Sequence, residues 1–163
     1  CDLQDVADPA DAYRRDFISA SDILFFSSVN HGDPEGLIHR FQSAGGRKVL
    51  VSGLGAKGCA LSCGGAIGRY PALTRPDRPV VDTNGAGDGL AVGFLSAFVL
   101  DGCSAEEAVL RGQTVARYTC SLKADTDHLI TREQVETLCP AFLSCSNEEA
   151  GCIFQQTRRK DAG

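Results

Sequence analysis

The residues with the clearest chemical potential form the string DTNGAGD, at 82–88, which leads into the apolar segment GLAVGF. Carboxylates at Asp82 and Asp88 flank a turn of small residues, Gly85–Ala86–Gly87. Backbone N–H groups at a helix start have no partner within the helix, and the helix dipole adds positive potential there. The string therefore predicts an anion hole whose glycines let a phosphate approach the backbone. Asp88, in the first helical turn, is suited to accept a proton from an attacking hydroxyl.

A plainer interpretation gives both carboxylates structural roles. Asp82 would then cap a turn, and Asp88 would only stabilise the helix dipole. We would prefer that interpretation for an isolated Gly-x-Gly-Asp. The complete string before a buried helix is far more specific, and we favour the functional interpretation.

A second glycine-rich stretch, VLVSGLGAKGCALS at 49–62, contains Gly53-x-Gly55-x-x-Gly58 after an apolar run. This spacing matches the dinucleotide-binding fingerprint, which needs a helix directly after the glycines and an acidic residue at the end of the next strand. Here Cys63-Gly64-Gly65 predicts a hairpin turn instead, and Asp77 lies in a loop-like stretch. We therefore predict that residues 53–58 form a turn between strands and do not bind NAD.

The remaining segments alternate between strand and helix patterns. Apolar runs at 23–26 and 48–52 enclose a helical pattern, which predicts a parallel βαβ unit. In chain order we predict a helix from Asp8-Pro9, a strand at 23–26, a helix from Asp33-Pro34 to Gly45-Gly46, a strand at 48–52, a hairpin of 59–62 and 66–70, a strand at Val80-Val81, a helix at 85–101 buried nearly all round, and capped helices from Ser104 to about Ser121 and from Thr131 to near Pro140.

Composition excludes several function classes. A net charge of -5 argues against binding to nucleic acid or to an anionic membrane surface. The longest apolar run, at 89–100, is too short to span a bilayer. Eight cysteines without a Cys-x-x-Cys pair, and three histidines without ligand spacing, favour reduced thiols in a cytoplasmic protein over disulfides or a metal cluster.

Three strings together resemble the ribokinase-like (PfkB) family of carbohydrate and nucleoside kinases. They are DTNGAGD, LGAKG at 54–58 with its following hairpin, and SAEEAVLRGQTVARYTC at 104–120. The resemblance covers roughly residues 15–138 and implies a Rossmann-like αβα sandwich with a mostly parallel sheet. It also implies that residues 1–140 are the C-terminal, nucleotide-binding part of a kinase domain, followed by a polar tail at 141–163. The chain starts with Cys1 and contains no Met, so we expect the N-terminal half and the lid to lie outside it.

The resemblance assigns roles to individual residues. It implies that Asp88 is the general base and that the backbones of Gly85, Ala86 and Gly87 form the anion hole. The residues that it places beside the nucleotide are Gly55, Lys57, Gly58 and Asn84, and Asp82 is its candidate for a monovalent cation. The family often carries Asn-x-x-Glu as well, which helps to organise Mg²⁺ and phosphate. The nearest string here runs from Asn30 to Asp33, so Asp33 is the candidate Mg²⁺-linked residue, although we favour its role as a helix cap.

The function that the resemblance implies is ATP-dependent phosphoryl transfer to a hydroxyl of a sugar or sugar-like substrate. The implied cofactors are ATP and Mg²⁺, with K⁺ as the candidate monovalent ion. A homodimer is an expectation for the full-length protein only, and the 163-residue chain alone is expected to be inactive. Two alternatives stay open: a nucleoside kinase of the same family, and a catalytically inert nucleotide-binding fragment.

Overall fold

The computed structural model describes residues 1–5, 8–45, 49–123 and 128–139. The chain divides into two compact units, Cys1–Pro76 and Asp77–Gly163. The predicted tail at 141–163 and Lys48, the predicted first residue of a strand, lie outside the described residues.

The first unit is built on a five-stranded sheet in the order β1-β2-β3-β4-β5. Its elements are β1 (Asp2–Asp5), α1 (Arg15–Ala20), β2 (Ile23–Ser27), α2 (Pro34–Gly45), β3 (Val49–Gly53), β4 (Cys59–Cys63) and β5 (Ala66–Tyr70). β1, β2 and β3 are parallel neighbours, whereas β4 and β5 continue the sheet as an antiparallel hairpin. The predicted βαβ unit is confirmed as β2-α2-β3, and the predicted hairpin is confirmed as β4-β5.

The core of this unit lies between β2, β3 and α2. The four apolar residues that begin β2 are all buried, which explains why this strand is a continuous apolar run. Leu37, Ile38 and Phe41 form the apolar stripe of α2 and are fully buried. The rings of Phe26 and Phe41 stack with their centroids 4.7 Å apart, and this contact joins the helix to the sheet.

The N-terminal segment differs from the prediction at two points. β1 was not predicted, because its residues are mostly polar and only Leu3 is buried. The helix predicted to start at Asp8-Pro9 begins only at Arg15, and Arg14 before it makes no capping side-chain hydrogen bond. Asp11 lies in the preceding turn, where its Oδ1 accepts hydrogen bonds from the N–H groups of Tyr13 (2.9 Å) and Arg14 (3.0 Å). Proline after Asp8 therefore marks a turn, not a helix start.

The second unit is helical in its described residues. It contains α3 (Ala86–Leu95), which continues as a π-helical turn (Ser96–Leu100), then α4 (Ala105–Thr119) and α5 (Arg132–Leu138). Both predicted capping boxes are confirmed, from Ser104 to Glu107 and from Thr131 to Gln134. No helix of the described residues is both long enough and apolar enough to cross a membrane.

Glycines bring α3 and α4 into close contact. A Cβ on Gly93 would lie 2.8 Å from the Cα of Gly112, and a Cβ on Gly112 would lie 2.6 Å from the Leu90 carbonyl oxygen. Any side chain at either position would force the helices apart. The prediction of a helix buried nearly all round is wrong on the opposite side, where Val92 is 64% exposed and Leu100 is 76% exposed.

The predicted strand at Val80-Val81 is also wrong. Both valines are exposed, and neither belongs to a strand. Val81 N–H instead donates to the Cys120 carbonyl oxygen at 2.8 Å, beside the C-terminus of α4. β-branched residues favour extended backbone, but a strand also needs a neighbouring strand with which to form a ladder.

Candidate active site

The string DTNGAGD forms a tight turn that starts α3. Gly85 is the residue before the helix and has a φ of 78°, a left-handed conformation that glycine adopts without strain. The Ala86 N–H donates to the Thr83 carbonyl oxygen at 3.2 Å, and the Gly89 N–H donates to the Gly85 carbonyl oxygen at 2.8 Å. These two bonds fix the backbone between Thr83 and Gly89.

Three backbone N–H groups at this turn have no hydrogen-bond partner within the described parts of the chain. They belong to Gly85, Gly87 and Asp88. Ala86 was predicted as part of the anion hole, but its N–H is already engaged by Thr83. Unpartnered N–H groups at a helix N-terminus fit an anion such as a phosphate, because the helix dipole attracts negative charge there. The donor set available to a phosphate is therefore Gly85, Gly87 and Asp88.

The Asp88 side chain is exposed in the first turn of α3. Its carboxylate forms no hydrogen bond or ion pair with any residue that the structure describes. Both oxygens are therefore available to a ligand. A helix-terminal carboxylate used only for capping would instead accept a backbone N–H of its own turn.

Asp82 has a structural partner. Its Oδ1 accepts a hydrogen bond from the Asn84 N–H at 3.0 Å, so Asp82 does cap the turn, as the plainer interpretation held. Asn84 itself is exposed in the same turn. The proposed contact of Asp82 with a monovalent cation stays a prediction.

The C-terminal end of α4 is hydrogen-bonded to the residues at the start of this motif and just before it. The Cys120 carbonyl oxygen accepts hydrogen bonds from Val81 N–H at 2.8 Å and from Asp82 N–H at 3.2 Å. Burial raises the pKa of the Cys120 thiol; the nearby Arg117 charge opposes this rise, and the Asp82 carboxylate adds to it. The thiol is therefore a neutral group at neutral pH, and it lies close to the Asp82 carboxylate.

The second predicted nucleotide contact, LGAKG, lies in the first unit. Gly55–Lys57 form one 3₁₀ turn, closed by a hydrogen bond of 2.8 Å from Leu54 N–H to the Gly58 carbonyl oxygen. A Cβ on Gly58 would lie 2.6 Å from the Ala72 nitrogen, so only glycine fits against the chain beyond β5. The prediction of a turn between strands is confirmed, because β4 follows at once and no regular helix starts at Gly55.

This turn also presents polar groups. The N–H groups of Gly55 and Ala56 make no hydrogen bond with the described residues. Lys57 is exposed, and its ammonium group has no carboxylate partner among those residues. Such a turn offers donors and one positive charge to a phosphate or a ribose. The nucleotide role of Gly55, Lys57 and Gly58 stays a prediction.

Asp33 lies at the start of α2 in the first unit. Its Oδ1 accepts a hydrogen bond from Gly36 N–H at 2.8 Å, which is the geometry of a helix cap. The Asn30 amide donates to Asp5 Oδ2 at 3.0 Å. Within the described ranges, His, Cys, Asp and Glu side chains form no group of three or more that could hold a metal ion. A link between Asp33 and Mg²⁺ stays a prediction, and any such ion would need further ligands, such as phosphate oxygens.

Sequence reasoning missed the parts of this site that come from α4. Thr119 lies against the turn, since a Cβ on Gly85 would be 3.4 Å from its Cγ2. Cys120 acts through its backbone carbonyl. The string at 104–120 includes both residues, but a packing methyl and a carbonyl oxygen have no sequence signal that would assign them a role in the site.

Comparison with known proteins assigns relatives to this chain. The model of the family described as "pfkB family carbohydrate kinase" matches residues 17–132. A 2-dehydro-3-deoxygluconokinase from Bacillus subtilis is 36% identical over 127 residues, which are 74% of this chain and 37% of that protein. An acarbose 7(IV)-phosphotransferase from an Actinoplanes species is 32% identical over 114 residues, 69% of this chain and 38% of that protein. The chain therefore spans less than half the length of these curated relatives.

Solved structures show the same fold. A microbiome-derived acarbose kinase superposes with a TM-score of 0.75 and 26% identity, over 85% of this chain and 46% of that one. A ribokinase from Thermotoga maritima superposes with a TM-score of 0.65 and 24% identity, over 80% of this chain and 47% of that one. The fold class predicted from the sequence, α/β and ribokinase-like, is confirmed by these neighbours.

Proposed function

The chain belongs to the pfkB family of carbohydrate kinases, and from that membership we propose that it forms the nucleotide-binding part of a sugar kinase. The reaction is phosphoryl transfer from ATP to a hydroxyl group of the sugar. The observation that supports this most directly is the Asp88 carboxylate beside the Gly85 and Gly87 N–H groups, all three without a hydrogen-bond partner among the described residues. An anion site and a proton acceptor in one turn are what this reaction requires.

In the proposed mechanism, Asp88 accepts the proton of the sugar hydroxyl. A bond forms between the hydroxyl oxygen and the γ-phosphorus while the bond from that phosphorus to the bridging oxygen breaks, and its electron pair leaves with ADP. The N–H groups of Gly85, Gly87 and Asp88 donate to the oxygens of the transferring group and stabilise their charge. When bound, ATP supplies the phosphoryl group and Mg²⁺ neutralises charge on the phosphate oxygens.

The other candidate residues are proposed to contact the nucleotide and the ions. Gly55, Lys57 and Gly58 border the phosphates or the ribose of the nucleotide, and Asn84 contributes from the turn before α3. The exposed Lys57 ammonium suits a phosphate contact, because phosphate groups carry the opposite charge. Asp82 is the proposed contact for a monovalent cation such as K⁺. Asp33 is the proposed Mg²⁺-linked residue.

We place a sugar ahead of a nucleoside as the acceptor. The two curated relatives are named for 2-dehydro-3-deoxygluconate and for acarbose, which are both carbohydrates. A nucleoside kinase from Methanocaldococcus jannaschii has a TM-score of 0.64 but only 22% identity, and such a likeness supports the fold alone. The intact motif around Asp88 favours an enzyme over an inert nucleotide-binding fragment.

The test is an acceptor panel with the full-length protein and ATP, read by ADP release. It contains 2-dehydro-3-deoxygluconate, acarbose, ribose, fructose and a nucleoside, with a no-acceptor control that measures ATP hydrolysis by water. Turnover that depends on one of the carbohydrates supports the proposal. Turnover with the nucleoside alone would make the protein a nucleoside kinase, and ATP binding without any turnover would favour the inert alternative.

A further inference from the structure

We propose that the last turn of α4 positions the reaction centre, with Thr119 as a positioning residue and the Cys120 carbonyl as a tether. This inference rests on the proposed function, because the position of the turn at Gly85–Asp88 matters for rate only if phosphate is transferred there. Neither residue contacts the reacting atoms in this proposal. Both act on the backbone that carries them.

The tether lies on the N-terminal side of the turn. The Cys120 carbonyl oxygen accepts two hydrogen bonds, from Val81 N–H and from Asp82 N–H. The Asp82 carboxylate in turn accepts the N–H of Asn84. This chain of bonds runs from the end of α4 into the turn, so a shift of Cys120 would move the backbone that leads to Gly85.

Thr119 contacts the turn on its other side. Its Cγ2 lies 3.4 Å from the place of a Cβ on Gly85, and its Oγ1 lies 3.0 Å from the place of a Cβ on Gly89. These two glycines bracket the residues that supply the proposed donors and the proposed base. The Thr119 hydroxyl donates to the Val115 carbonyl oxygen at 3.0 Å, and this bond holds the side chain in one orientation. One small side chain thus sets the distance between α4 and both ends of the turn.

α4 is a firm support for these contacts. Its N-terminus is closed by the capping box of Ser104 and Glu107, and its middle is buried. Gly112 lies against Leu90 of α3 without room for a side chain. In-line transfer tolerates little displacement, and a misplacement of about 1 Å can lower a rate by about 10²-fold. The packing of α3 on α4 is therefore expected to affect turnover more than binding.

The first test compares three substitutions in the full-length protein. Thr119→Ser keeps the hydroxyl but removes the methyl that faces Gly85, and it should lower kcat by about 5- to 20-fold. Thr119→Val keeps that methyl but loses the hydroxyl bond to Val115, so its kcat should fall less than that of Thr119→Ser. The KM values for ATP and for the sugar should change little in both. Thr114→Ser is the matched control, because Thr114 is buried one turn earlier and makes the same type of bond, to Leu110.

The second test uses Gly89→Ala. Its new methyl would lie 3.0 Å from Thr119 Oγ1 and 3.2 Å from the Ala116 Cα, so α3 must move at its N-terminus. We expect a larger fall in kcat than for Thr119→Ser. Thr119→Ala is measured alone and together with Gly89→Ala. The Oγ1 that the new methyl would meet is gone in the double variant, so its fold-loss of kcat should be smaller than the product of the fold-losses of the two single variants.

An NMR measurement that does not depend on enzyme activity separates this inference from the proposed function. In ¹⁵N-glycine-labelled protein, Thr119→Ser should shift the Gly85 and Gly87 amide resonances, and Thr114→Ser should not. The inference is overturned if Thr119→Ser leaves both kcat and these resonances unchanged, or if Thr114→Ser lowers kcat equally. A normal turnover of Asp88→Asn in the same panel would instead overturn the proposed function while leaving the resonance test intact.

Discussion

Asp88 combines two properties at the start of α3. Its carboxylate is in the first turn, where the helix dipole attracts negative charge, yet it makes no hydrogen bond with the described residues. A capping carboxylate would be occupied by backbone N–H groups, as Asp33 is at the start of α2. Asp82 and Asp88 therefore do different things within one turn: Asp82 holds the backbone, and Asp88 remains available to a substrate.

We predict that Asp88→Asn lowers kcat of the full-length protein by about 10²- to 10⁴-fold, the usual range for a lost general base. Asparagine has nearly the same shape but cannot accept the hydroxyl proton. ATP binding, measured by calorimetry, should stay within about threefold, because the N–H groups of the anion hole are unchanged. Asp16→Asn is the comparison variant, because Asp16 is an exposed carboxylate in the first turn of α1 with no proposed role, and its kcat should match the parent. Turnover of Asp88→Asn within twofold of the parent would contradict the role.

The Cys120 thiol leads to a prediction about how the stability of the protein depends on pH. Its pKa is raised, mainly by burial and also by the Asp82 charge, so the folded protein keeps the thiol protonated at a pH where the unfolded chain ionises it. The stability that comes from this group is present below the ordinary thiol pKa of about 8.5 and is lost as the pH rises through the folded value. We expect the free energy of unfolding to fall above about pH 8.5 in the parent, and less steeply in Cys120→Ala. Urea unfolding of both proteins from pH 7 to pH 10 measures this, and parallel pH curves would contradict it.

At the scale of elements, local signals predicted the structure where they were complete within a few residues. The capping boxes at Ser104 and Thr131 fix two helix starts, and Gly64-Gly65 fixes the hairpin. The prediction was wrong at Val80-Val81, because a strand depends on a neighbouring strand that the sequence does not reveal. It was also wrong at Asp8-Pro9, because this pair forms a turn and the helix begins only at Arg15, after a second turn at Asp11.

The residues of the candidate site likewise fall into those that contiguous strings predict and those that they do not. The proposed donors Gly85 and Gly87, the proposed base Asp88 and the turn at Gly55 were all predicted from contiguous strings. Thr119 and Cys120 were not, because they act across a helix–helix contact through a methyl group and a carbonyl oxygen. The Asp88 N–H makes no hydrogen bond with the described residues, whereas the Ala86 N–H donates to the Thr83 carbonyl oxygen. Which amide of a turn is free depends on the backbone geometry, and residue identity does not determine it.

The contact of α3 with α4 gives a prediction at this scale. Gly93→Ala and Gly112→Ala should each destabilise the fold by about 1–3 kcal/mol, because each new Cβ meets backbone of the facing helix, which cannot rotate away. Gly87→Ala is the matched control in α3, since no atom lies within 4 Å of its new Cβ. That variant should keep the parental stability or gain up to about 1 kcal/mol from helix propensity. Chemical denaturation measures all three, and equal stabilities would contradict the packing argument.

At the scale of the whole molecule, the two predicted nucleotide contacts belong to different units of the chain. LGAKG is in Cys1–Pro76, and DTNGAGD is in Asp77–Gly163. Each unit supplies its own turn, whose free N–H groups have no partner among the described residues, and its own packing neighbour, β5 for Gly58 and α4 for Gly85. The family match runs from residue 17 to residue 132 and so includes both turns.

The last prediction concerns the 163-residue chain by itself, which should bind nucleotide weakly and should not phosphorylate sugars. The chain matches only 37% of the length of its Bacillus subtilis relative, and of the residues proposed above only Asp88 contacts the sugar, at its reacting hydroxyl. In-line attack requires the hydroxyl to be held about 3 to 3.5 Å from the phosphorus, and without that alignment several kcal/mol of the barrier remain. Asp88 and its neighbouring amides would then face water instead of a positioned hydroxyl. The measurement is ADP release by the purified chain with the acceptor panel, and with the full-length protein as the positive control. Sugar-dependent turnover near 1 s⁻¹, about the lower end of ordinary enzyme rates, would show that this chain alone holds the sugar.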